Sequence, residues 1–247
     1  MKKQIHLAAQ YLAAAGISFL DKKEDDSHTN LGFNTDNGCL ETHILSNNND
    51  QLLLNYQDFS MVWQSNSGTQ SFPLDGTTHK DVLQWLKKTS QDNLNKVYEY
   101  NLHYELPYSI DDSYTFKLND ASALKELMHL RILAQFSLEK INQTHGFDVS
   151  IRIWPHHFDT GIYTEISTTG NSVGLGLAIP DSVCDEHYLY ASGYNTEGQI
   201  STSGLKELTK GFWSTEGYIG GVLVAEGISE KVAVQFFNEV IEQFKIQ

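Results

Sequence analysis

Residues 149–161 read Val-Ser-Ile-Arg-Ile-Trp-Pro-His-His-Phe-Asp-Thr-Gly, and this stretch decides how the rest of the chain is interpreted. Its first five residues alternate apolar and polar side chains, which predicts a β-strand with one buried face. Pro155 follows, and proline cannot donate a hydrogen bond inside a sheet. We therefore expect a strand that ends in a polar segment, where two histidines and an aspartate lie close together.

The flanking sequence predicts a helix before this strand and further strands after it. Residues 120–144 carry apolar side chains at helical spacing, and Gly146 follows as a stop signal. Short alternating segments after the stretch predict strands, and the helical spacing of the last segment predicts a final helix. These elements are strands at 162–167, 172–178 and 187–192, one last strand within 212–224, and a helix at 230–244, with a polar excursion at 196–210.

The beginning of the chain shows the same kind of pattern. Helical spacing over residues 3–15 predicts a helix that Gly16 ends, and Asp36-Asn37-Gly38 is a strong hairpin signal. Strands are predicted at 40–45, 51–56 and 59–63, followed by a helix from residue 77. Helices that lie outside runs of consecutive hairpins predict an α+β fold, with antiparallel sheets and the helices packed on one face.

The chain is predicted to be one domain, 1–247, made of two similar halves. The halves are 1–95 and 119–247, and both read as a helix–β-meander–helix unit. Four short matches share an offset of 123 residues, among them Asp36-x-Gly38 with Asp159-x-Gly161. A common offset indicates an internal duplication. The alternative is two unrelated α+β segments with similar turns.

Composition argues against some classes of partner. The formal net charge is −14 and no block of basic residues offsets it, so the surface repels the phosphates of nucleic acid. Cys39 and Cys184 are the only cysteines, which is typical of a reducing compartment rather than a disulfide framework. No segment approaches the ~20 apolar residues of a membrane span. We expect a cytoplasmic protein without nucleic-acid or membrane partners, of open oligomeric state.

Two histidines and an aspartate are the first candidate site residues. In a regular strand, His156 and His157 would point to opposite faces, while Asp159 would share the side of His157. A histidine near a carboxylate can be a metal-ligand pair, a general base with its orienting carboxylate, or a structural hydrogen bond. We assign His156, His157 and Asp159 as catalytic candidates and keep the structural alternative open.

Other segments have to complete such a site, because a metal needs at least a third ligand. If the two halves pack about a pseudo-twofold axis, His28 lies near the position equivalent to His156. His28, His157 and Asp159 are therefore the candidate ligands for a divalent metal such as zinc. The candidate binding residues are Trp154, Asn30, Trp213 and Glu216.

These residues are compatible with three kinds of function. The first is a hydrolase-like enzyme that acts on a small molecule through a composite site of His, Asp and Glu side chains, with or without a metal. The second is a non-catalytic protein that binds a small molecule in an aromatic-lined pocket. The third is a structural role, in which the histidines belong to a buried hydrogen-bond network.

Three motifs also resemble those of a bacterial protein family without an assigned function. They are Asp-Asp-Ser-His-Thr-Asn-Leu-Gly at 25–32, Trp-Pro-His-His-Phe-Asp at 154–159 and Thr-Glu-Gly at 215–217. The resemblance spans nearly the whole chain, and the second motif is its most specific part. The family pattern continues with a Ser-Pro-Gly-like turn, where this chain has Ile179-Pro180-Asp181. The resemblance implies where the site lies and implies no reaction.

Overall fold

A computed structural model describes residues 1–246, and within them four helices and twelve strands follow one another along the chain. The elements are α1 (Lys2–Phe19), β1 (Gly32–Asn34), β2 (Cys39–Glu41), β3 (Gln51–Asn55), β4 (Ser60–Ser65), β5 (Gly68–Pro73), α2 (His79–Leu94), α3 (Ala121–His145), β6 (Arg152–Trp154), β7 (Asp159–Glu165), β8 (Ser172–Ala178), β9 (Tyr188–Asn195), β10 (Gly198–Gln199), β11 (Phe212–Ser214), β12 (Gly220–Val224) and α4 (Glu230–Phe244).

The strands form two antiparallel sheets, which confirms the predicted α+β class. One sheet has the order β1-β2-β3-β4-β5, and the other has the order β11-β12-β9-β8-β7-β6, with β10 paired to β9. The chain divides into two compact units. The first unit contains Met1–His129 and Ile153–His156, and the second contains Leu130–Arg152 and the residues from His157 onwards.

Helix α1 is the central helix of the first unit and packs against β3. Its residues from Ile5 to Gly16 are buried. The prediction that Gly16 ends this helix is wrong, because the helix continues to Phe19. A Cβ at Gly16 would lie 2.5 Å from the backbone oxygen of His28, so the glycine allows close packing of the helix against that segment rather than a stop.

Three hairpin turns share one backbone form. Residues 35–38, 56–59 and 155–158 are four-residue turns between strands, and the last residue of each has a positive φ. Gly38 adopts a φ of 65° without strain, whereas Phe59 and Phe158 adopt 54° and 59°. A bulky residue is disfavoured in this region, so surrounding contacts must hold the two phenylalanines, which are both buried.

The shared turn form does not coincide with the matches that suggested a duplication. Asp36 and Gly38 lie in a turn, whereas Asp159 and Gly161 lie in β7. The internal duplication therefore stays a prediction.

The sequence predictions miss one strand and merge two others. The polar segment of β5 was not expected to be a strand, because it is exposed along almost its whole length and has no buried face to produce alternation. The single strand expected within 212–224 is two antiparallel strands, β11 and β12. A short bend around Glu216 separates the two strands. The sequence did not predict it, because aromatic residues on both sides resemble one continuous strand.

The core of the second unit lies between its helices and one face of its sheet. Leu138 of α3 and Phe236 of α4 belong to the same buried cluster as Leu175 of β8 and Leu189 of β9. Strand alternation places the neighbouring residues, including Tyr190, on the opposite face. Both helices of this unit thus pack on one face, as predicted. No helix within residues 1–246 is long and apolar enough to cross a membrane.

We expect acid to destabilise the protein through His79, the first residue of α2. Its imidazole is buried and its Nδ1 lies 2.7 Å from the Tyr11 hydroxyl. Burial lowers the pKa of His79, so the unfolded state binds more protons as pH falls below about 6.5. The free energy of unfolding should therefore decrease from pH 7 downwards, before the carboxylates titrate.

Urea unfolding at a series of pH values measures this effect. His79→Gln should have a shallower pH dependence than the wild type, whereas His129→Gln, which changes an exposed histidine, should match the wild type. Burial also lowers the pKa of His28, so part of the acid dependence should persist in His79→Gln. Identical slopes for all three proteins would contradict the role of His79.

Candidate functional site

Two of the segments singled out in the sequence lie side by side in the first unit. Leu31 and Ile153 form an antiparallel bridge, in which each backbone N–H donates to the other's carbonyl oxygen at 2.9 Å. His28 precedes Leu31 by three residues, and His156 follows Ile153 by three. Because the bridge is antiparallel, both histidine segments leave it on the same side. His28 was the predicted partner segment of His156, and the structure brings these two segments together.

His156 lies in an aromatic environment. Its ring centroid is 5.5 Å from that of Tyr104 and 6.3 Å from that of Trp154, the latter in an edge-to-face arrangement. All three side chains are half-buried. Aromatic groups at these separations and angles attract each other through their quadrupoles. Trp154, predicted as a binding residue, is thus a direct neighbour of His156.

Polar side chains of α1 hold the backbone beside His156. The carbonyl oxygen of Pro155 accepts hydrogen bonds from His6 Nε2 at 2.8 Å and from Gln10 Nε2 at 2.9 Å. The Tyr104 hydroxyl donates to Gln10 Oε1 at 2.6 Å. Because the carbonyl can only accept, His6 carries its proton on Nε2 when neutral, and its Nδ1 accepts from the Tyr108 hydroxyl.

Sequence reasoning missed this network. His6 has no chemically supportive residue next to it in the sequence, so local pattern alone does not single it out. The available signal was the spacing of His6 and Gln10, which lie four residues apart on a helix that is otherwise almost entirely apolar and buried. Two polar side chains at that spacing on a buried helix predict a shared hydrogen-bond partner.

A second polar group surrounds His28. Its imidazole is buried, burial lowers its pKa, and Nδ1 accepts a hydrogen bond from the Lys23 N–H at 3.3 Å. Nearby, His103 Nε2 lies 3.1 Å from Asp26 Oδ2. Asn30, predicted as a binding residue, is buried, and its Oδ1 lies 2.8 Å from His43 Nε2. The first unit therefore concentrates five histidines near the bridge: His6, His28, His43, His103 and His156.

Asp159 has a hydrogen-bond partner that the sequence did not predict. Its Oδ2 accepts a hydrogen bond from the Tyr190 hydroxyl at 2.7 Å, and its Oδ1 is buried without a hydrogen-bond partner. The side chain of His157 is exposed. The prediction assumed an extended chain, but His157 lies within the turn at 155–158, so strand alternation does not apply to it.

The Tyr190–Asp159 contact depends on two glycines. Tyr190 is on β9 and Asp159 is on β7, with β8 between them. A Cβ at Gly161 would lie 2.5 Å from the Tyr190 hydroxyl oxygen, and one at Gly176 would lie 2.6 Å from the same oxygen. The phenol ring therefore lies flat over backbone that has no side chain. Burial, and next the Asp159 charge, raise the pKa of Tyr190.

Arg131 of α3 holds the start of β7. Its guanidinium donates to the carbonyl oxygen of Phe158 at 2.6 Å and to the hydroxyl of Thr160, and it lies 4.3 Å from the centroid of the Phe158 ring. Arg131 is buried. These contacts flank Asp159 on both sides in the sequence and stabilise the positive φ of Phe158. The sequence offered no signal for this role beyond an arginine flanked by Leu130 and Ile132 in α3.

Two predicted binding residues lie elsewhere in the second unit. Trp213 packs on Phe244 of α4 with ring centroids 5.8 Å apart, and its Nε1 donates to the Lys206 carbonyl oxygen. This is the helix-covered face of the sheet, opposite to Asp159. Glu216 is exposed in the bend between β11 and β12. The structure does not bring Trp213 to Asp159.

The metal prediction gains no support. Among residues 1–246, no group of three or more His, Cys, Asp or Glu side chains is arranged to hold a metal ion. The set of His28, His157 and Asp159 therefore stays a prediction.

Comparison with known proteins does not identify the chain. No family model matches it, and neither the curated proteins nor the solved structures contain a match.

Proposed function

We propose that this protein binds a small planar aromatic molecule at the first unit, beside His156. The observation that carries the proposal is that the half-buried rings of Tyr104 and Trp154 both contact the half-buried His156, with centroids 5.5 and 6.3 Å from that of its imidazole. Binding sites for small molecules combine aromatic walls with a few placed polar groups. Here the polar groups are those of the bridge region, including Asn30 and His28.

The hydrogen bonds from α1 support binding by a preorganised site. His6 and Gln10 both hold the Pro155 carbonyl, and Gln10 also accepts from Tyr104. Tyr104 and the backbone that precedes His156 are thereby hydrogen-bonded to the same helix. A site whose walls are already fixed loses little conformational entropy when a ligand binds.

Ligand-observed NMR with indole as the probe tests the proposal, and cyclohexanol serves as a non-planar probe. We expect saturable indole binding with a Kd on the order of 1 mM or below and much weaker cyclohexanol binding. Tyr104→Leu removes the ring and should weaken indole binding at least ~tenfold, which corresponds to ~1.4 kcal/mol. Tyr104→Phe keeps the ring and loses only the bond to Gln10, so it should bind within ~threefold of the wild type.

His129→Gln is the control for histidine loss outside the site, because His129 is exposed in the same unit. Melting temperatures of all variants establish that each is folded before binding is compared. Absence of saturable indole binding by the wild type would refute the proposal. Equal indole affinity in Tyr104→Leu and the wild type would also refute it.

The hydrolase-like alternative has less support. A carboxylate can orient a histidine general base, but Asp159 Oδ2 accepts its hydrogen bond from Tyr190. Elemental analysis of the purified protein tests the metal-dependent version. A full equivalent of zinc, lost together with a hydrolytic activity in His157→Gln, would favour the enzyme over the binding protein.

A further inference from the structure

We infer that the second unit contains a separate site for a small primary ammonium group, built by Asp159, Tyr190 and Tyr218. The starting observation is the Asp159 carboxylate, which has one oxygen bonded to Tyr190 and the other buried without any hydrogen-bond partner. A buried carboxylate oxygen without a hydrogen-bond donor costs folding free energy. An N–H donor from a bound molecule would explain why Asp159 occupies this position.

The construction of the sheet around Asp159 is specific. Tyr190 reaches Asp159 across β8 only because Gly161 and Gly176 leave its ring lying flat on the backbone. A larger residue at either position would push the phenol away. The two glycines therefore allow the Tyr190 hydroxyl to bond to Oδ2 of Asp159. Oδ1 of the same carboxylate remains without a hydrogen-bond donor.

The surroundings favour a cation over a neutral donor. The rings of Tyr190 and Tyr218 meet edge to face with centroids 6.3 Å apart on the same face of the sheet, and aromatic faces attract ammonium groups. Arg131, which is bound at the start of β7, donates its hydrogen bonds to Phe158 and Thr160. The net charge of −14 also enriches cations near the surface.

The occupant should be small and should carry N–H groups. Oδ1 is closed to bulk solvent, so only a compact group can reach it after a local opening of the structure. Methylammonium meets both requirements. Tetramethylammonium carries the same charge but has no N–H donor, so it separates hydrogen bonding from attraction to the tyrosine rings.

Carbon-13 NMR of the aspartate carboxyl groups tests the site, with the Asp159 resonance assigned as the one absent from Asp159→Asn. We expect methylammonium to shift this resonance saturably. Tetramethylammonium should bind at least about tenfold more weakly than methylammonium. Asp159→Asn should abolish the saturable methylammonium response of the neighbouring amide signals.

Asp181→Asn is the matched control. Asp181 also accepts a hydrogen bond from a tyrosine of β9, Tyr188 at 2.8 Å, but its other oxygen is bonded to the Val183 N–H and the residue is exposed. This variant should bind methylammonium like the wild type.

Three results would overturn the inference. The first is an Asp159 resonance that does not respond to methylammonium. The second is a response to tetramethylammonium equal to that to methylammonium, because it would show that a hydrogen bond to Oδ1 does not contribute to binding. The third is binding that survives in folded Asp159→Asn, which would place the cation elsewhere. Melting curves recorded beside the spectra exclude unfolding as the reason for lost binding.

Discussion

Gly176→Ala should destabilise the second unit by about 3 kcal/mol, at the upper end of the usual cost of overpacking a buried site. An added Cβ would lie 2.1 Å from the backbone oxygen of Thr160 and 2.6 Å from the ring and hydroxyl of Tyr190. The Thr160 oxygen belongs to β7, which pairs with β8, so it cannot move without distorting the sheet. Tyr190 would also have to leave Asp159, which removes its buried hydrogen bond.

Gly174→Ala is the matched control, because Gly174 lies two residues earlier on the same strand and the same face. Its nearest neighbour would be the Ser192 side-chain oxygen at 3.1 Å, which can rotate away. We expect a loss of no more than about 1 kcal/mol, because Gly174 is buried but only the Ser192 side chain has to move. Urea unfolding of both variants measures the difference. Equal losses would indicate that the strand, rather than Tyr190 and Thr160, limits the substitution.

The contrast between these glycines shows what the sequence could and could not provide. The alternation of Val173, Gly174, Leu175 and Gly176 correctly predicted a strand. A glycine inside a strand also signals that another group approaches the backbone closely, but the sequence does not identify that group. Tyr190 is one of 12 tyrosines, and nothing local distinguishes it from the others.

Local patterns predicted most of the elements. The Asp36-Asn37-Gly38 turn joins β1 and β2, and the helix expected at 230–244 has those bounds in the structure. These features depend on residues that are neighbours in the sequence, so spacing and turn chemistry are sufficient. The α+β class followed from the order of such elements.

The candidate site was less predictable because its partners are distant in the sequence. His6 and Pro155 are 149 positions apart, and Asp159 and Tyr190 are 31 apart. The positive φ of Phe158 had no sequence signal, since phenylalanine seldom adopts it. Because His157 lies in this turn, strand alternation could not tell whether it shares a side with Asp159. The proximity of the His28 and His156 segments, in contrast, was predicted.

Arg131→Met should cost about 2–3 kcal/mol of stability, because it leaves the buried Phe158 carbonyl without its charged donor. Methionine has a similar reach and fills the apolar part of the space, so the cavity term is small. Removing a buried guanidinium also removes its desolvation cost, which offsets part of the loss. The strain at Phe158 adds to the loss, because the left-handed backbone is no longer held by Arg131.

Arg152→Met is the control, since Arg152 is the other arginine of the chain and is only half-buried. It should change stability by less than about 0.5 kcal/mol. Hydrogen exchange then separates two explanations for a loss in Arg131→Met. If Arg131 holds the turn, exchange should accelerate at residues 158–161 more than in the rest of β7. Uniform acceleration across the unit would instead mean that Arg131 stabilises the helix–sheet core as a whole, and that the Phe158 ring alone fixes the backbone beside Asp159.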